Sequence, residues 1–296
     1  MKTTVIQSAA EEETPLPIFR ALPGDHATRD AQDLMAYPFF SLAKTKRTVP
    51  IDFHTKGVSL RVEGTHEHGI ATIWDADVLI WAASQIIEAR DHGLPTSRLM
   101  VATPYEILRF VGRGTDNHNY ERLKAALDRL QSTTIATSIR QAARGQHRFS
   151  WINEWKEQAN AAGRPYGISL ILPDWFYTGL LDSRLVLTLD PIYFTLTGGI
   201  ERWLYRLVRK HAGRQAGGWR FEFAHLHAKS GSVMRASDFA FYLRRIATTQ
   251  GLPGYELHVE RHNNGREVLN FRRRSREPID QTIRVLAQRM RTGGTL

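Results

Sequence analysis

The chain has 296 residues, of which 40 are Lys or Arg and 30 are Asp or Glu, giving a formal net charge of +10 at pH 7. The positive excess lies in residues 198–296, which contain 19 Lys and Arg against eight Asp and Glu, and this indicates an anionic partner such as nucleic acid. The absence of cysteine excludes a disulfide framework, a thiolate metal site and a cysteine nucleophile.

The first 34 residues are predicted to be a flexible arm. They contain the acidic run Glu11-Glu12-Glu13 and three prolines, with too few apolar side chains to offset the entropy of ordering. They lack the charged and then apolar order of a signal peptide, and no apolar run in the chain is long enough to span a bilayer. We therefore expect a cytoplasmic protein with no membrane partner.

Residues 35–185 are predicted to form a first winged-helix domain. In chain order we expect a strand, a long apolar helix, a short strand, two helices, a hairpin, a strand and a closing helix, at residues 69–74, 75–90, 98–101, 104–111, 116–130, 133–151, 166–172 and 173–180. Thr103, Pro104 and Glu106 form a capping box with proline at the first helical position. Because glycines separate the two helices at residues 112–114, the pair is typical of a helix-turn-helix.

The second helix of this pair is predicted to read bases. Its apolar stripe turns one face inward and leaves a polar face outward, made of Asn117, His118, Arg122, Ala125 and Arg129. Asn suits adenine and Arg suits guanine in the major groove, so Asn117, His118 and Arg122 are predicted DNA contacts. A solvated helix face without a ligand is the alternative.

Cations beside this helix are predicted to hold phosphates. Arg113 lies in the glycine turn, whereas Arg144 and Arg148 lie on the hairpin at residues 133–151. We interpret that hairpin as the wing of the domain, because cations at its tip would lie along a DNA backbone.

Residues 186–276 are predicted to form a second winged-helix domain, in which the same order of elements recurs. A helix, a strand, a short helix, a long helix and a hairpin are expected at residues 200–210, 218–223, 223–231, 235–249 and 255–274. Asn264-Gly265 is a strong two-residue hairpin turn. The expected fold class is therefore α+β, with two tandem winged helix-turn-helix domains, followed by a C-terminal tail over residues 277–296.

The second domain carries most of the predicted DNA contacts. Its long helix turns Phe239, Leu243 and Ile246 inward, and its outward polar residues are expected to read bases. The hairpin cations are expected to hold phosphates. The predicted contacts are Lys229, Arg235, Ser237, Arg244, Arg245, Arg261, Arg266, Arg272, Arg273 and Arg274.

Six long runs of the sequence carry a resemblance to a known family. They lie at residues 69–87, 103–108, 122–134, 149–157, 172–177 and 198–211, and include GIATIWDADVLIWAASQII at the first position and GGIERWLYRLVRKH at the last. These runs resemble the replication initiator protein A family of bacterial broad-host-range plasmids. The resemblance extends over most of the chain and implies the two-winged-helix architecture of plasmid initiators.

The resemblance also implies a function. Such a protein would bind double-stranded DNA at repeated sites of a plasmid origin and help to open adjacent AT-rich duplex. It would recruit the host replication initiator and the replicative helicase. A homodimer in equilibrium with a monomer would repress the protein's own gene, while the monomer starts replication. The chemistry requires no catalytic residue and no cofactor, so we do not expect an enzyme.

Two other functions remain open at the level of the sequence. His225-Leu226-His227 has the form of the metal-binding pair in rolling-circle nicking nucleases, with Tyr242 as a candidate nucleophile. A helix over these residues would point the two imidazoles about 200° apart, so they could not share one metal ion. A transcriptional repressor without origin function is the other alternative.

Six tryptophans raise a further choice between stacking on bases and packing in a core. They are Trp81, Trp151, Trp155, Trp175, Trp203 and Trp219. Their positions on apolar faces favour core packing.

Overall fold

The computed structural model describes residues 15–55, 57–141, 145–162, 165–213, 215 and 217–274. These residues form two winged-helix modules, each with its own cluster of buried apolar side chains. An N-terminal segment and an additional four-stranded sheet pack around the modules. Within the described ranges, no helix has the length and hydropathy needed to cross a bilayer.

The N-terminal segment is folded and contributes to both modules. Its elements are β1 (Ile18–Arg20), β2 (Arg29–Ala31), α1 (Gln32–Ala36), β3 (Ile51–Thr55) and β4 (Val58–Glu63). Phe19, Asp30 and Leu34 are buried, and β1 pairs in parallel with the strand at Leu99–Ala102. The prediction of a flexible arm over residues 1–34 is therefore wrong for residues 15–34, whose few apolar side chains include Phe19, Ala31 and Leu34 in the core. Residues 1–14 and the predicted tail at 277–296 lie outside the described residues.

From its long apolar helix to the end of the helix-turn-helix, the first module follows the predicted order. Its elements are α2 (Ala76–Asp91), β5 (Leu99–Ala102), α3 (Pro104–Phe110), α4 (Asn117–Ser132), β6 (Thr134–Thr137), β7 (His147–Ser150), β8 (Glu154–Ala159), β9 (Pro165–Ile171) and α5 (Asp174–Leu181). The capping box is present, because the Thr103 hydroxyl accepts from the Glu106 N–H and the Glu106 carboxylate accepts from the Thr103 N–H. The strand predicted at residues 69–74 is wrong. That segment is a loop that makes only isolated bridges.

The wing of the first module is not the hairpin that the sequence suggested. β9 pairs antiparallel with both β5 and β8, so the hairpin β8–β9 completes the sheet of the module, whose order is β1-β5-β9-β8. β6 and β7 instead pair with each other and join β3 and β4 in a separate sheet of order β3-β4-β6-β7. The predicted wing at residues 133–151 is therefore wrong. Alternation reveals a hairpin but not the distant strand on which it docks.

The second module repeats the arrangement of the first and confirms the order predicted for it. Its elements are β10 (Val186–Thr188), α6 (Gly199–Ala212), β11 (Trp219–Glu222), α7 (Phe223–Ser230), α8 (Ala236–Thr248), β12 (Tyr255–Arg261) and β13 (Glu267–Arg273). β13 lies between β11 and β12, as β9 lies between β5 and β8. Gly265 has φ +80° in the β12–β13 turn, a backbone conformation that favours glycine. The fold is thus α+β, with two tandem winged helix-turn-helix modules.

Four of the six tryptophans are buried in the cores, as predicted. These are Trp81, Trp151, Trp175 and Trp203. Trp155 is half-buried and donates its indole N–H to Asp128. Trp219 is 42% exposed on β11, so the core prediction is wrong for this residue.

A buried ion pair joins the N-terminal segment to the second module. The Arg206 guanidinium on α6 donates to the Asp30 carboxylate, with Nε–Oδ2 2.7 Å and Nη2–Oδ1 3.1 Å. Both side chains are almost fully buried, with 1% and 2% of their surface exposed. Met35 and Ile80, from α1 and α2, also pack in the core of the second module. The two modules therefore share packing and are not linked by a tether alone.

Removing the Asp30 carboxylate will destabilise the protein strongly, because it leaves the Arg206 guanidinium buried without a counter-charge. We expect Asp30→Ala to lower the free energy of unfolding by about 3–5 kcal/mol, measured by urea denaturation. The double variant Asp30→Leu with Arg206→Met will recover most of the loss, since apolar side chains replace a buried pair at little cost. Asp52→Ala is the control, because it removes an exposed pair with Arg61. An Asp30→Ala variant that unfolds at the wild-type urea concentration would show that the buried pair does not stabilise the fold.

Candidate nucleic-acid interface

The exposed face of α8 is the larger of the two candidate recognition surfaces. Phe239, Leu243 and Ile246 are buried against the second core, as predicted. The opposite face is exposed and carries Arg235, Ser237, Asp238, Phe241, Arg244, Arg245 and Thr248. We call these seven side chains the second recognition surface. It combines hydroxyl, cationic and apolar groups, which are the types that contact base edges.

Acidic side chains position the two adjacent arginines of this surface. Arg244 donates to Glu267 at the start of β13, with Nη1–Oε2 2.7 Å, so the recognition helix is connected to the wing. Arg245 lies 3.6 Å from the Glu201 carboxylate on α6 and 4.7 Å from the centre of the Tyr242 ring. Both guanidiniums remain about half exposed, so each could turn toward DNA by giving up one surface ion pair of small energy.

The cations of the β12–β13 wing lie on two faces of the sheet. Arg272 donates to Glu256 on the neighbouring strand, with Nε–Oε2 2.7 Å. Arg273 points to the other side, in alternation with Arg272, on the same face as Leu269 and Phe271. Arg274 donates to the Tyr255 carbonyl. All three arginines were expected to hold phosphates, but a single DNA backbone cannot lie along both faces at once.

The tip of the wing carries the other two predicted cations. Arg261 ends β12, and Arg266 follows the Asn264-Gly265 turn. Arg266 is two-thirds exposed and lies 3.5 Å from the Glu222 carboxylate. Both side chains protrude at the end of the hairpin, where contact with a phosphate backbone needs no rearrangement of the fold.

The exposed face of α4 forms a smaller first recognition surface, which we define as Asn117, His118 and Arg122. All three side chains are exposed at the N-terminal end of the helix, where the sequence placed them. Asp116 caps this end by accepting from the Asn119 N–H. Glu121 is exposed beside them, so this surface carries less net positive charge than the second.

Arg129 does not belong to this surface, although its spacing suggested an outward position. Its guanidinium makes two hydrogen bonds of 2.8 Å to the Asp75 carboxylate, which is buried before α2. The interpretation of Arg129 as an outward residue is wrong. Its contact instead ties the C-terminal half of α4 to the start of α2.

Arg113 was predicted to hold phosphate, but its guanidinium is engaged inside the protein. Its Nη2 donates to the Asp77 carboxylate at 2.9 Å and to the Trp74 carbonyl at 3.0 Å. Asp77 is buried and also accepts from Arg202 on α6, with Nη1–Oδ1 2.8 Å. Burial raises the pKa of Asp77, and the charges of Arg202 and Arg113 oppose that shift. The Asp77 carboxylate therefore joins the helix-turn-helix of the first module to the first helix of the second.

Lys229 also lies at the junction of the modules and not on an exposed surface. Its ammonium donates to the Ala36 carbonyl at 3.2 Å and lies 5.4 Å from the centre of the Tyr37 ring. Burial and the nearby Lys210 lower the pKa of Lys229. The predicted DNA contact of Lys229 conflicts with this position, in which Lys229 docks α7 on the N-terminal segment.

Arg148, a predicted contact of the first module, lies away from its wing. Arg148 is exposed on β7, an edge strand of the separate four-stranded sheet. Arg144 lies outside the described residues. On the observed wing strand β8, Lys156 pairs with Glu154, and Glu157 pairs with Lys124 of α4. This wing strand therefore carries no excess of positive charge among the described residues.

The paired histidines of the nuclease alternative do not converge. Both lie on helix α7, where His225 stacks on Phe221 and His227 contacts the Met234 carbonyl at 2.9 Å. Burial lowers the pKa of His225. In the part of the chain that the structure describes, no group of three or more His, Asp or Glu side chains could hold a metal ion.

Sequence reasoning missed the side chains that hold the modules together. Asp77, Arg202 and Arg206 are charged residues on otherwise apolar helix faces, and this is the signal that could have revealed them. A charged residue at an inward position is buried at high cost unless it is paired. The signal identifies such residues, but it does not say which partner each will find.

Comparisons with known proteins agree with the fold. Residues 29–257 match the family model described as "Replication initiator protein A". A protein of Wigglesworthia glossinidia brevipalpis named "Putative replication protein" is 29% identical over 245 residues, covering 81% of this chain and 86% of that protein. Two crystal structures of domains 2 and 3 of RctB superpose with TM-scores of 0.59 and 0.55, at 14% and 13% identity. They cover 83% and 85% of this chain and 99% of each RctB chain, and so share the fold.

Variants of Arg113 and Arg122 test which arginine supports the fold and which contacts DNA. We expect Arg113→Ala to lower the free energy of unfolding by about 1–3 kcal/mol, because the Asp77 carboxylate loses a charged partner. Arg122→Ala removes an exposed side chain, so it will leave the unfolding midpoint unchanged and lower specific DNA affinity by about 1–3 kcal/mol. Urea denaturation and fluorescence anisotropy with specific and scrambled duplexes measure the two effects. If Arg113→Ala keeps wild-type stability but loses specific binding, Arg113 contacts DNA directly, as the sequence predicted.

Proposed function

Because this chain belongs to the replication initiator protein A family, we propose that it starts plasmid replication by binding repeated sites at the plasmid origin. The observation that carries the proposal is the pair of unlike recognition surfaces, on α4 and α8, within one folded chain. A winged-helix repressor obtains two such surfaces by dimerising one module. Two different surfaces in one polypeptide suit an asymmetric site that is repeated in the same direction.

The contacts between the modules support a fixed spacing of the bound DNA segments. Asp77 with Arg202, Asp30 with Arg206, and Lys229 with Ala36 all cross between the first module or the N-terminal segment and the second module. Two surfaces held in this way would enter successive major-groove segments on one face of the duplex, about 34–36 Å apart. Neither surface alone needs high affinity, since each binding event brings the other surface close to its own segment.

The proposed contribution to origin opening is mechanical. Several copies bound at adjacent repeats would bend and strain the DNA, and AT-rich or pyrimidine–purine steps would yield at the least cost. The protein itself would neither cut DNA nor use a cofactor. The host replication initiator and the replicative helicase would supply the nucleotide-driven steps, in the bacterial cytoplasm where the plasmid resides. A homodimer in equilibrium with the monomer would repress the protein's own gene.

DNase I footprinting of the DNA flanking the gene tests this proposal. We expect protection of several tandem direct repeats beside an AT-rich segment, because one chain carries two unlike recognition surfaces. The same reactions run with magnesium ions, and without nuclease, will leave supercoiled DNA uncut. Protection of a single inverted repeat would favour a repressor. A magnesium-dependent nick made by the purified protein would favour a nicking nuclease.

Arg244 and Arg273 are expected to contribute differently to DNA binding. Arg244→Ala will lower the affinity for the origin repeat by about 1–3 kcal/mol and leave random DNA nearly unaffected, since its position on α8 suits a base contact. Arg273→Ala will weaken both DNAs alike and reduce the slope of log affinity against log salt by about one, as expected for a phosphate contact. Titrations over a range of salt concentrations distinguish the two. The same effect on specific and random DNA in both variants would contradict these assignments.

A further inference from the structure

A phenylalanine stands at the centre of the second recognition surface. Phe241 is 57% exposed, whereas Phe239, two residues earlier, is 1% exposed. Two residues of an α-helix are about 200° apart, so Phe241 points away from the core that holds Phe239. Ser237 precedes it by one helical turn, and Arg244 and Arg245 follow it by about one turn.

Exposed apolar side chains concentrate at this end of the second module. Val233 and Met234, in the turn before α8, are 67% and 38% exposed. With Phe241 they make three of the ten large apolar side chains that are exposed among the described residues. Scattered exposed apolar groups need no explanation, but three within residues 233–241, with Phe241 on the second recognition surface, do.

The chemistry of the major groove limits what a phenyl ring can contact there. On that side adenine, guanine and cytosine present hydrogen-bond donors and acceptors but no methyl group, and a phenyl ring cannot satisfy those polar groups. Thymine also presents its C5-methyl group, which is the apolar contact of the groove. The neighbours of Phe241 complete a mixed surface, because Ser237 can bond to several bases and Arg244 suits guanine.

We propose that Phe241 is a specificity-determining residue that recognises the C5-methyl group of a thymine within the site bound by α8. The inference rests on the proposed function, because it requires that α8 enters a major groove. It adds a base identity to that function: the segment read by the second module contains a thymine whose methyl group packs against the phenyl ring, flanked by the base contacted by Arg244. Replacing that thymine by any other base leaves the ring facing polar edges.

Deoxyuridine provides the direct test, because it pairs as thymine does and lacks only the methyl group. Duplexes of one protected repeat, each with a single thymine replaced by deoxyuridine, are titrated with the full-length protein. We expect one replacement in the α8 segment to weaken wild-type binding about threefold to tenfold, as for loss of one buried methyl contact. The Phe241→Ala variant will bind the thymine and deoxyuridine duplexes equally well, with wild-type stability because the side chain is exposed.

Two control variants separate loss of this contact from general weakening. Tyr166→Ala removes a side chain of the same 57% exposure from β9 of the first module, and it will keep the wild-type preference for thymine. Arg244→Ala will bind more weakly but also keep that preference.

The outcomes distinguish this inference from the proposal on which it rests. Equal wild-type binding to every deoxyuridine duplex, with a normal footprint on the repeats, would overturn the role of Phe241 and leave the initiator proposal intact. A thymine preference that persists in Phe241→Ala would likewise overturn it, by assigning the methyl contact to another residue. Absence of any footprint on the flanking DNA would refute the initiator proposal itself.

Discussion

The buried Asp77 carboxylate is the interaction on which the arrangement of the two modules depends. It lies in the first turn of α2, accepts from Arg113 in the helix-turn-helix of the first module, and accepts from Arg202 on the first helix of the second. Asp77 is buried, so breaking either contact would leave its carboxylate short of a counter-charge, and the contact with Arg202 therefore opposes separation of the modules. With Asp30 and Arg206, this network converts two winged helices into one body.

These contacts place two unequal candidate recognition surfaces on one folded unit. The surface on α8 has exposed arginines, an exposed phenylalanine and a wing with cations at its tip, whereas the surface on α4 has three candidate base contacts beside an acidic residue. A weak surface contributes to specificity only if the strong one presents it at the correct position. These ion pairs form within one chain. In the proposed initiator they would fix the second surface without a partner subunit, whereas a winged-helix repressor would gain its second surface by dimerising.

Local signals in the sequence were sufficient for most helices and for the second wing. Thr103 and Glu106 announce the start of α3, and Asn264-Gly265 announces the β12–β13 hairpin, because each pattern acts on its own neighbours. The prediction of the first wing was wrong because the wing depends on the pairing of β9 with β5, in which Leu99 lies opposite Ile171. No local sequence pattern encodes that pairing. The predictions for Arg113, Arg129 and Lys229 were wrong for the same reason. Their positions in the sequence suggested solvent-exposed side chains, but their hydrogen-bond partners lie in distant segments. The low number of apolar residues before residue 35 suggested disorder. That segment nevertheless contains β2, in which Asp30 pairs with Arg206 of the second module.

If the two recognition surfaces bind DNA as one body, the spacing of the DNA segments that they contact must be fixed. Inserting about five base pairs between the two halves of one protected repeat rotates them by about half a helical turn, whereas about ten base pairs restore the common face at a longer distance. We expect the affinity of the protein for the duplex with five extra base pairs to fall to its affinity for a half-repeat alone. An affinity equal to that for the intact repeat would show that the two modules move independently and do not bind DNA as one body.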